Sequence, residues 1–150
     1  MSSVEEACIS TTVAKQTGLP VWTSFTVDEG NGEFLRSGES LLEGAKAVLG
    51  KGASAILINC APPESITQAV EKLVALGVEI GAMANGFVTT EPLKGNTTVD
   101  VLESRLEITP QKYVTFTKDW LSKGAKIIGG CCEIGPQHIA EINKIREARN

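Results

Sequence analysis

The sequence predicts an α/β fold built from four short parallel strands, each followed by a helix. Apolar, β-branched runs at residues 21–27, 53–60, 78–84 and 125–130 indicate the strands, and apolar side chains at helical spacing between them indicate the helices. Strands that alternate with helices form parallel sheets with right-handed crossovers. Two architectures fit, an open doubly wound sheet or part of a (β/α)8 TIM barrel. A complete barrel needs about 250 residues and eight strands, so 150 residues would form a half-barrel.

The first helices are predicted from their end signals. The chain opens on a helix, because Ser3 and Glu6 fit a capping box and Gly18 is placed to end it. A Gly-rich polar loop at residues 28–38 then separates the first strand from a helix at residues 39–51. A helix that comes before the first strand is unusual for a protein that alternates strands and helices.

Prolines mark the starts of the later helices. Pro62 and Pro63 lie where the helix after the second strand begins, and Gly77 is expected just beyond its end. Thr109 caps a helix that has Pro110 at its first position, and Pro136 opens the last helix. The large aromatic side chains are expected in the core, and these are Trp22, Phe25, Tyr113, Phe116 and Trp120.

Residues 86–107 show no clear periodicity. The turn-forming sequences Asn85-Gly86 and Lys94-Gly95-Asn96 favour a loop there. A stretch of this length without secondary structure is usually a functional loop or lid, or else disordered.

Composition and charge exclude several function classes. The net charge of −4 and the pI near 5.1 argue against a nucleic-acid partner, which requires clustered Lys and Arg. No apolar run approaches the roughly 20 residues needed to span a bilayer, and residues 1–20 lack the pattern of a signal peptide. We therefore expect a cytoplasmic protein with no membrane partner, whose thiols stay reduced.

Three of the four cysteines lie at predicted strand ends. Cys60 ends the second strand, and the adjacent Cys131 and Cys132 follow the fourth. Sites in parallel α/β proteins lie at the carboxyl ends of the strands, and Zn²⁺ binds thiolates in tetrahedral geometry. Successive strand residues point to opposite faces, so the pair can share a metal only if the backbone bends, which Gly129 and Gly130 permit. The three cysteines predict one zinc ion with its fourth position open.

Other interpretations of these residues stay open. Cys8 is more typical of a small core residue. Cys131 and Cys132 could instead pack in the core or form a vicinal redox disulfide. His138, at the start of the last helix, is more typical of a surface or packing residue and is kept only as a group that could orient a metal ligand. Asn85, at the end of the third strand, is a weak candidate for substrate binding, because Asn-Gly pairs are commonly turns.

The strand-end motifs resemble, in order, those of the homocysteine S-methyltransferase family. The motifs are Pro20-Val21-Trp22-Thr23-Ser24-Phe25-Thr26, Asn59-Cys60-Ala61-Pro62-Pro63, Ala84-Asn85-Gly86 and Gly129-Gly130-Cys131-Cys132. They look like the fifth to eighth strands of the family's barrel. The resemblance implies that residues 1–150 are the C-terminal half of a homocysteine-binding domain. The strands that bind the amino-acid end of homocysteine would precede Met1, so we expect a fragment.

The resemblance also implies an enzymatic activity. Cys60, Cys131 and Cys132 would hold Zn²⁺, and the homocysteine thiol would take the open position, lose its proton and attack a methyl group to give methionine. No catalytic residue beyond the metal ligands is implied. The motifs do not select among S-methylmethionine, betaine, S-adenosylmethionine and cobalamin as methyl donor. The alternative is a non-catalytic, zinc-holding half-barrel remnant that needs a partner half, or self-association, to cover its unpaired strand edges.

Overall fold

The computed structural model describes residues 1–95 and 97–147, so Asn96 of the predicted loop lies outside the described residues. The strands are β1 (Val21–Phe25), β2 (Ala53–Asn59), β3 (Glu79–Met83) and β4 (Ile127–Ile128). The helices are α1 (Val4–Lys15), α2 (Leu41–Gly50), α3 (Pro63–Leu73), α4 (Pro110–Ser122) and α5 (Pro136–Glu147), with short 3-10 turns at Val74–Leu76, Glu91–Gly95 and Val99–Val101.

The described strands form one parallel sheet in the order β1-β2-β3-β4. Phe25 pairs with Ile58, and Ile58 pairs with Ala82. The helices follow the same order, because each one packs against the next from α1 to α5. Strands and helices that both advance in sequence order form a segment of a (β/α)8 barrel, whereas a doubly wound sheet reverses its strand order.

The predicted helix ends are largely confirmed. Ser3 Oγ accepts a hydrogen bond from the Glu6 backbone N–H over 3.3 Å, and Thr109 Oγ1 accepts one from Lys112 over 3.2 Å. The capping box at α1 differs in one respect, because the Glu6 carboxylate accepts from the Ser2 N–H rather than from that of Ser3.

All four strands are shorter than predicted, β2 and β3 by no more than a single residue at either end and β1 and β4 by more. The first ends at Phe25 instead of residue 27, since Val27 turns away to pair antiparallel with Leu35. The fourth comprises Ile127–Ile128 instead of residues 125–130. Its backbone nevertheless stays paired alongside β3, because Gly129 N–H donates to the Ala82 carbonyl over 3.1 Å and Cys131 N–H donates to the carbonyl of Ala84, just beyond β3, over 2.9 Å. This continued pairing carries the cysteine pair along the edge of β3.

Met1 forms backbone hydrogen bonds along the free edge of β1. The amino group of Met1 donates to the Ser24 carbonyl over 2.8 Å, and Thr26 N–H donates to the Met1 carbonyl over 2.8 Å. This is the bonding pattern of a residue in a neighbouring parallel strand.

The main core lies between the sheet and the helices, where Phe25, Tyr113 and Trp120 are fully buried as predicted. Phe116 is only partly buried and stacks on Trp120 at 6.0 Å between ring centroids. The prediction that Trp22 is a core residue is wrong, since its side chain is 55% exposed. Side chains alternate along β1, so Trp22 points to the face opposite the one that Phe25 packs against the helices.

The segment at residues 86–107, of which all but Asn96 is described, is closed at its base by backbone hydrogen bonds. Val88 N–H donates to the Glu103 carbonyl over 2.8 Å, and Arg105 N–H donates to the Gly86 carbonyl over 2.7 Å, so both ends of the segment are joined at its base. Two 3-10 turns lie between them. Within the described ranges, no helix is long and apolar enough to cross a membrane.

Candidate metal centre

Cys60 immediately follows β2 and leaves extended geometry. Its φ of 56° lies in the left-handed region, which non-glycine residues seldom adopt. Its N–H still donates to the Met83 carbonyl over 3.1 Å, as in a continuing sheet. In an extended strand, Cys60 would point to the face opposite Asn59. The left-handed turn redirects its side chain towards the end of β4.

Cys131 and Cys132 occupy a tight turn between β4 and α5. Ile134 N–H donates to the Cys131 carbonyl over 3.1 Å, and Glu133 has a φ of 67°. Gly86 N–H donates to the Cys132 carbonyl over 2.9 Å, which joins this turn to the end of β3. The predicted bend is therefore present, with Glu133 as its left-handed residue.

Gly129 and Gly130 contribute space to this turn. A Cβ at Gly130 would lie 2.3 Å from Ile134 Cγ2, and one at Gly129 would lie 3.0 Å from Met83 Cγ. Neither glycine has a positive φ. They are needed because neighbouring side chains pack against them, whereas the sequence indicated only conformational freedom.

The structure brings the three predicted cysteines together at the carboxyl edge of the sheet. Their sulfur atoms all lie within 4.8 Å of one another, and those of Cys131 and Cys132 are 3.8 Å apart. Zn–S bonds of about 2.3 Å in a tetrahedral site place two sulfurs roughly 3.8 Å apart. The separations and the three soft donors therefore fit Zn²⁺. Cys132 is exposed, which leaves this side of the cluster accessible to a fourth ligand.

All four cysteines are free thiols. The 3.8 Å between the sulfurs of Cys131 and Cys132 is far longer than a disulfide bond of about 2.05 Å. Cys8 is partly buried and packs against the core, as expected for a structural thiol.

The thiols perturb one another strongly. A hydrogen bond from the Cys60 thiol lowers the pKa of Cys131 to about 5, against the opposing effect of burial. The same hydrogen bond, together with burial, raises the pKa of Cys60. Burial and the neighbouring Cys131 also raise the pKa of Cys132. The cluster thus holds one thiolate readily, as is typical of cysteines that bind a metal.

Asn59 supports the cluster from the end of β2. Its side chain hydrogen-bonds Cys131 and helps to lower the pKa of that thiol. Its Oδ1 accepts a hydrogen bond from Ser24 Oγ over 2.7 Å. Because Ser24 occupies the amide oxygen, the amide NH₂ is the group left to face the sulfur.

A second group of polar residues joins two loops next to Cys60. Glu29 accepts hydrogen bonds from the backbone N–H of Thr90 over 2.7 Å and from Thr89 Oγ1 over 2.7 Å, and it also bonds Thr90 Oγ1. Arg36 donates to Thr90 Oγ1 over 2.5 Å and to the Cys60 carbonyl over 3.2 Å. Sequence reasoning missed these residues, because nothing in the Gly-rich loop indicates a contact so distant in sequence.

Asn85 lies at the same edge of the sheet. Its backbone N–H donates to the Ala61 carbonyl over 3.0 Å, and its Oδ1 accepts from Phe87 N–H over 3.2 Å. The side chain is fully buried, and its Nδ2 has no hydrogen-bond partner among the described residues. A buried amide donor without an acceptor is uncommon in folded proteins.

His138 does not contact the cysteines through its ring nitrogens. Nδ1 accepts from Gly135 N–H over 3.2 Å, so Nε2 carries the proton and donates to the Ile108 carbonyl over 2.8 Å. Its ring also packs edge-on against Tyr113 at 5.9 Å. Tyr113 contributes more directly, because its hydroxyl accepts from Ala84 N–H and donates to the Gly129 carbonyl beside the cysteine turn.

The chain is similar in sequence to proteins of one known family. The sequence profile of the homocysteine S-methyltransferase family matches residues 1–146. A selenocysteine methyltransferase from Astragalus bisulcatus is 30% identical over 131 residues, which cover 84% of this chain and 36% of the relative. Homocysteine S-methyltransferase 1 from Arabidopsis thaliana is 27% identical over 143 residues, covering 93% and 41%. The chain therefore spans about two fifths of the length of these relatives.

Solved structures of the homocysteine methyltransferase MmuM from Escherichia coli have the same fold. The metallated and oxidised forms each superpose with a TM-score of 0.72 at 22% identity, covering 100% of this chain and 43% of that enzyme. The apo form gives a TM-score of 0.70, covering 95% and 46%. With a family profile that matches nearly its whole length, this chain belongs to the homocysteine S-methyltransferase family.

Proposed function

We propose that the chain supplies the zinc-binding part of an enzyme that transfers a methyl group to the thiol of homocysteine, giving methionine. The observation that carries this proposal is the meeting of three cysteine sulfurs within 4.8 Å at the carboxyl edge of the sheet. Family membership supports it independently. Because the chain spans about two fifths of its relatives, we further propose that residues 1–150 correspond to the C-terminal half of the family's domain.

Cys60, Cys131 and Cys132 would be the protein ligands of the metal. Zn²⁺ bound there would lower the pKa of a substrate thiol and hold its sulfur in place. The protein's part is to keep the three sulfurs in a tetrahedral arrangement and the fourth direction open, on the side of the exposed Cys132. Asn59 assists by fixing Cys131 with a hydrogen bond. A site of three thiolates works only where thiols stay reduced, which supports a cytoplasmic location.

Asn85 is the residue that we propose on the substrate side. Its buried Nδ2 lacks a partner among the described residues, and an unpaired buried donor costs about 1–3 kcal/mol. A polar group of the substrate could supply the acceptor after a small movement of the adjacent segment that begins at Gly86. Such a contact would orient the substrate without taking part in proton transfer.

Metal content and methyl transfer test this function. Purified protein should contain about one zinc per chain, and Cys60→Ala or Cys131→Ala should remove it, because two thiolates hold Zn²⁺ far more weakly than three. Cys8→Ala is the matched control and should keep the metal, since Cys8 packs away from the cluster. Zinc content that does not change in the Cys60 and Cys131 variants would contradict the proposal.

Activity should be assayed with homocysteine, and with selenocysteine because one relative is named for it. S-methylmethionine, betaine, S-adenosylmethionine and a methylcobalamin should each be offered as donor. Formation of methionine with one of them identifies the donor class, and the cysteine variants should then lose this activity in proportion to their zinc.

The alternative function is a zinc-holding half-barrel that acts only with a partner half. An apolar surface beside β4 favours it, with a cavity of about 500 Å³ whose lining includes Leu121, Ile128, Ile139, Ile142 and Ile145. None of the residues of α5 is buried. The partner that we propose for this surface is the remainder of the barrel, because the relatives are more than twice as long as the matched region.

A further inference from the structure

Arg36 connects the loop after β1 to the backbone of a metal-ligand candidate. Its Nη2 donates to the Cys60 carbonyl over 3.2 Å. The loop that carries Arg36 is itself fixed to α3, because Ser65 Oγ donates to the Glu29 carbonyl over 2.6 Å and Gly32 N–H donates to Gln68 over 2.8 Å. The guanidinium therefore approaches Cys60 from an anchored position.

The conformation of Cys60 needs external support. A φ of 56° places this non-glycine residue in the left-handed region, at a cost that only surrounding contacts can offset. Both of its backbone polar groups have partners, since the N–H bonds the Met83 carbonyl and the carbonyl accepts from Arg36. Loss of the Arg36 contact would leave the Cys60 backbone held only through its N–H.

Arg36 is itself held in place. Nη2 also donates to Thr90 Oγ1 over 2.5 Å and lies 3.8 Å from Glu29 Oε1. The side chains of Arg36 and Glu29 are 25% and 15% exposed, so the group is shielded from most of the solvent. Thr90, which is 4% exposed, bonds both of them. Because the guanidinium of Arg36 is already partly buried and hydrogen-bonded, it loses little further conformational entropy when it also donates to the Cys60 carbonyl.

We propose that Arg36 is a positioning residue of the metal centre. It fixes Cys60 in the left-handed conformation from which the sulfur reaches those of Cys131 and Cys132, and Glu29 and Thr90 hold Arg36 in place. The part of this inference that concerns metal affinity rests on the proposed zinc-binding function. The part that concerns the conformation of Cys60 does not, so the two can be tested separately.

Amide hydrogen exchange of the metal-free protein tests the conformation. In Arg36→Met, which keeps the stem and removes the donors, exchange at the Cys60 amide should become about tenfold faster, because the residue has lost one of the two hydrogen bonds that hold its backbone. Lys72→Met is the matched control. It removes an ion pair of 2.9 Å with Glu33 in the same loop and does not touch Cys60, so exchange there should be unchanged.

Competition with a chelator tests the metal affinity. Residues that orient a metal ligand typically contribute 10–100-fold, so we expect Arg36→Met to weaken zinc binding by about that factor. Arg36→Lys keeps the positive charge but not the planar guanidinium group. Its zinc affinity should therefore lie between those of Arg36→Met and the parent protein. Co²⁺ substitution should show a weaker tetrahedral absorption band in Arg36→Met, whereas Lys72→Met should match the parent protein.

The outcomes separate the two proposals. Unchanged Cys60 exchange and a zinc affinity within about threefold of the parent in Arg36→Met would overturn the role of Arg36. A parent protein that binds no zinc would contradict the proposed function, while the exchange measurement would still decide on Arg36. If Arg36→Met does not fold, Thr90→Val removes the hydroxyl that Arg36 and Glu29 share, and it should give a smaller change in the same direction.

Discussion

A residue without a side chain helps to shape the candidate metal centre beside the cysteines. Gly130 lies where a Cβ would be 2.3 Å from one atom of Ile134 and 2.6 Å from another. Ile134 is buried, so it cannot move aside into solvent. A side chain at this position would therefore strain the turn that presents Cys131 and Cys132.

We expect Gly130→Ala to destabilise the protein and to weaken zinc binding. Overpacking typically costs about 1–3 kcal/mol, and here the strain falls on the turn that carries two sulfurs. Gly50→Ala is the matched control, because a Cβ there meets nothing within 4 Å and alanine is favoured in helices by up to about 1 kcal/mol. Urea unfolding of the metal-free proteins measures the first effect, and chelator competition the second. A Gly130→Ala protein with the parent's stability and zinc affinity would disprove this account.

The loop after β1 and the segment after β3 are joined through the carboxylate of Glu29. Glu29, in the loop after β1, binds Thr89 and Thr90, which belong to the segment after β3. Burial alone would raise the pKa of Glu29, but hydrogen bonds from Thr90 and Thr89 and the charge of Arg36 lower it overall. The connection between the loops is therefore strongest when Glu29 is ionised.

This lowered pKa predicts how stability depends on pH. The contribution of Glu29 is fully present above its unfolded value of 4.5 and is lost as the pH falls through the lower folded value. In Glu29→Gln, the free energy of unfolding should therefore decrease less steeply than in the parent as the pH is lowered below 4.5. At pH 7 it should be smaller than in the parent. Glu43→Gln, which removes only an exposed ion pair with Lys46, is the control. Parallel stability curves for the parent and Glu29→Gln would contradict the assignment.

Apolar side chains near β4, the last strand, are exposed to solvent. Ile139 on α5 is 42% exposed, and it lines the same cavity as Ile128 and Ile142. Trp22 is 55% exposed on the sheet face opposite the helices. Parallel sheets are normally covered on both faces, so these surfaces favour association with more protein.

We expect the 150-residue chain to self-associate when no partner half is present. Ile139→Lys should weaken that association by about tenfold or more, since burying an isoleucine contributes about 1.5–3 kcal/mol and each 1.4 kcal/mol is about a factor of ten. Leu106→Lys is the control, because Leu106 is 87% exposed and lies outside the cavity lining. Sedimentation velocity over a range of concentrations measures the effect. A stable monomer at all concentrations would argue against a surface that needs a partner.

Short sequence patterns predicted the helices and strands. The positions of the cysteines at the ends of predicted strands predicted that they would cluster. The caps at Ser3 and Thr109 depend on neighbours three residues away, so they can be read from a short window. The face of Trp22 could not be predicted, because the first strand carries a large aromatic residue on each face, Trp22 on one and Phe25 on the other. The contact of Arg36 with Cys60 joins residues 24 apart and depends on the path of two loops, which local patterns do not encode.

The position of the three sulfurs has a consequence for folding as well as chemistry. Cys60 and Cys131 are separated by roughly seventy residues, which include β3, α3 and α4. Because the three sulfurs meet only in the folded chain, a metal shared by them would add its binding free energy to the stability of the fold. The same three side chains that hold the metal would thus also fasten the last strand to the middle of the sheet.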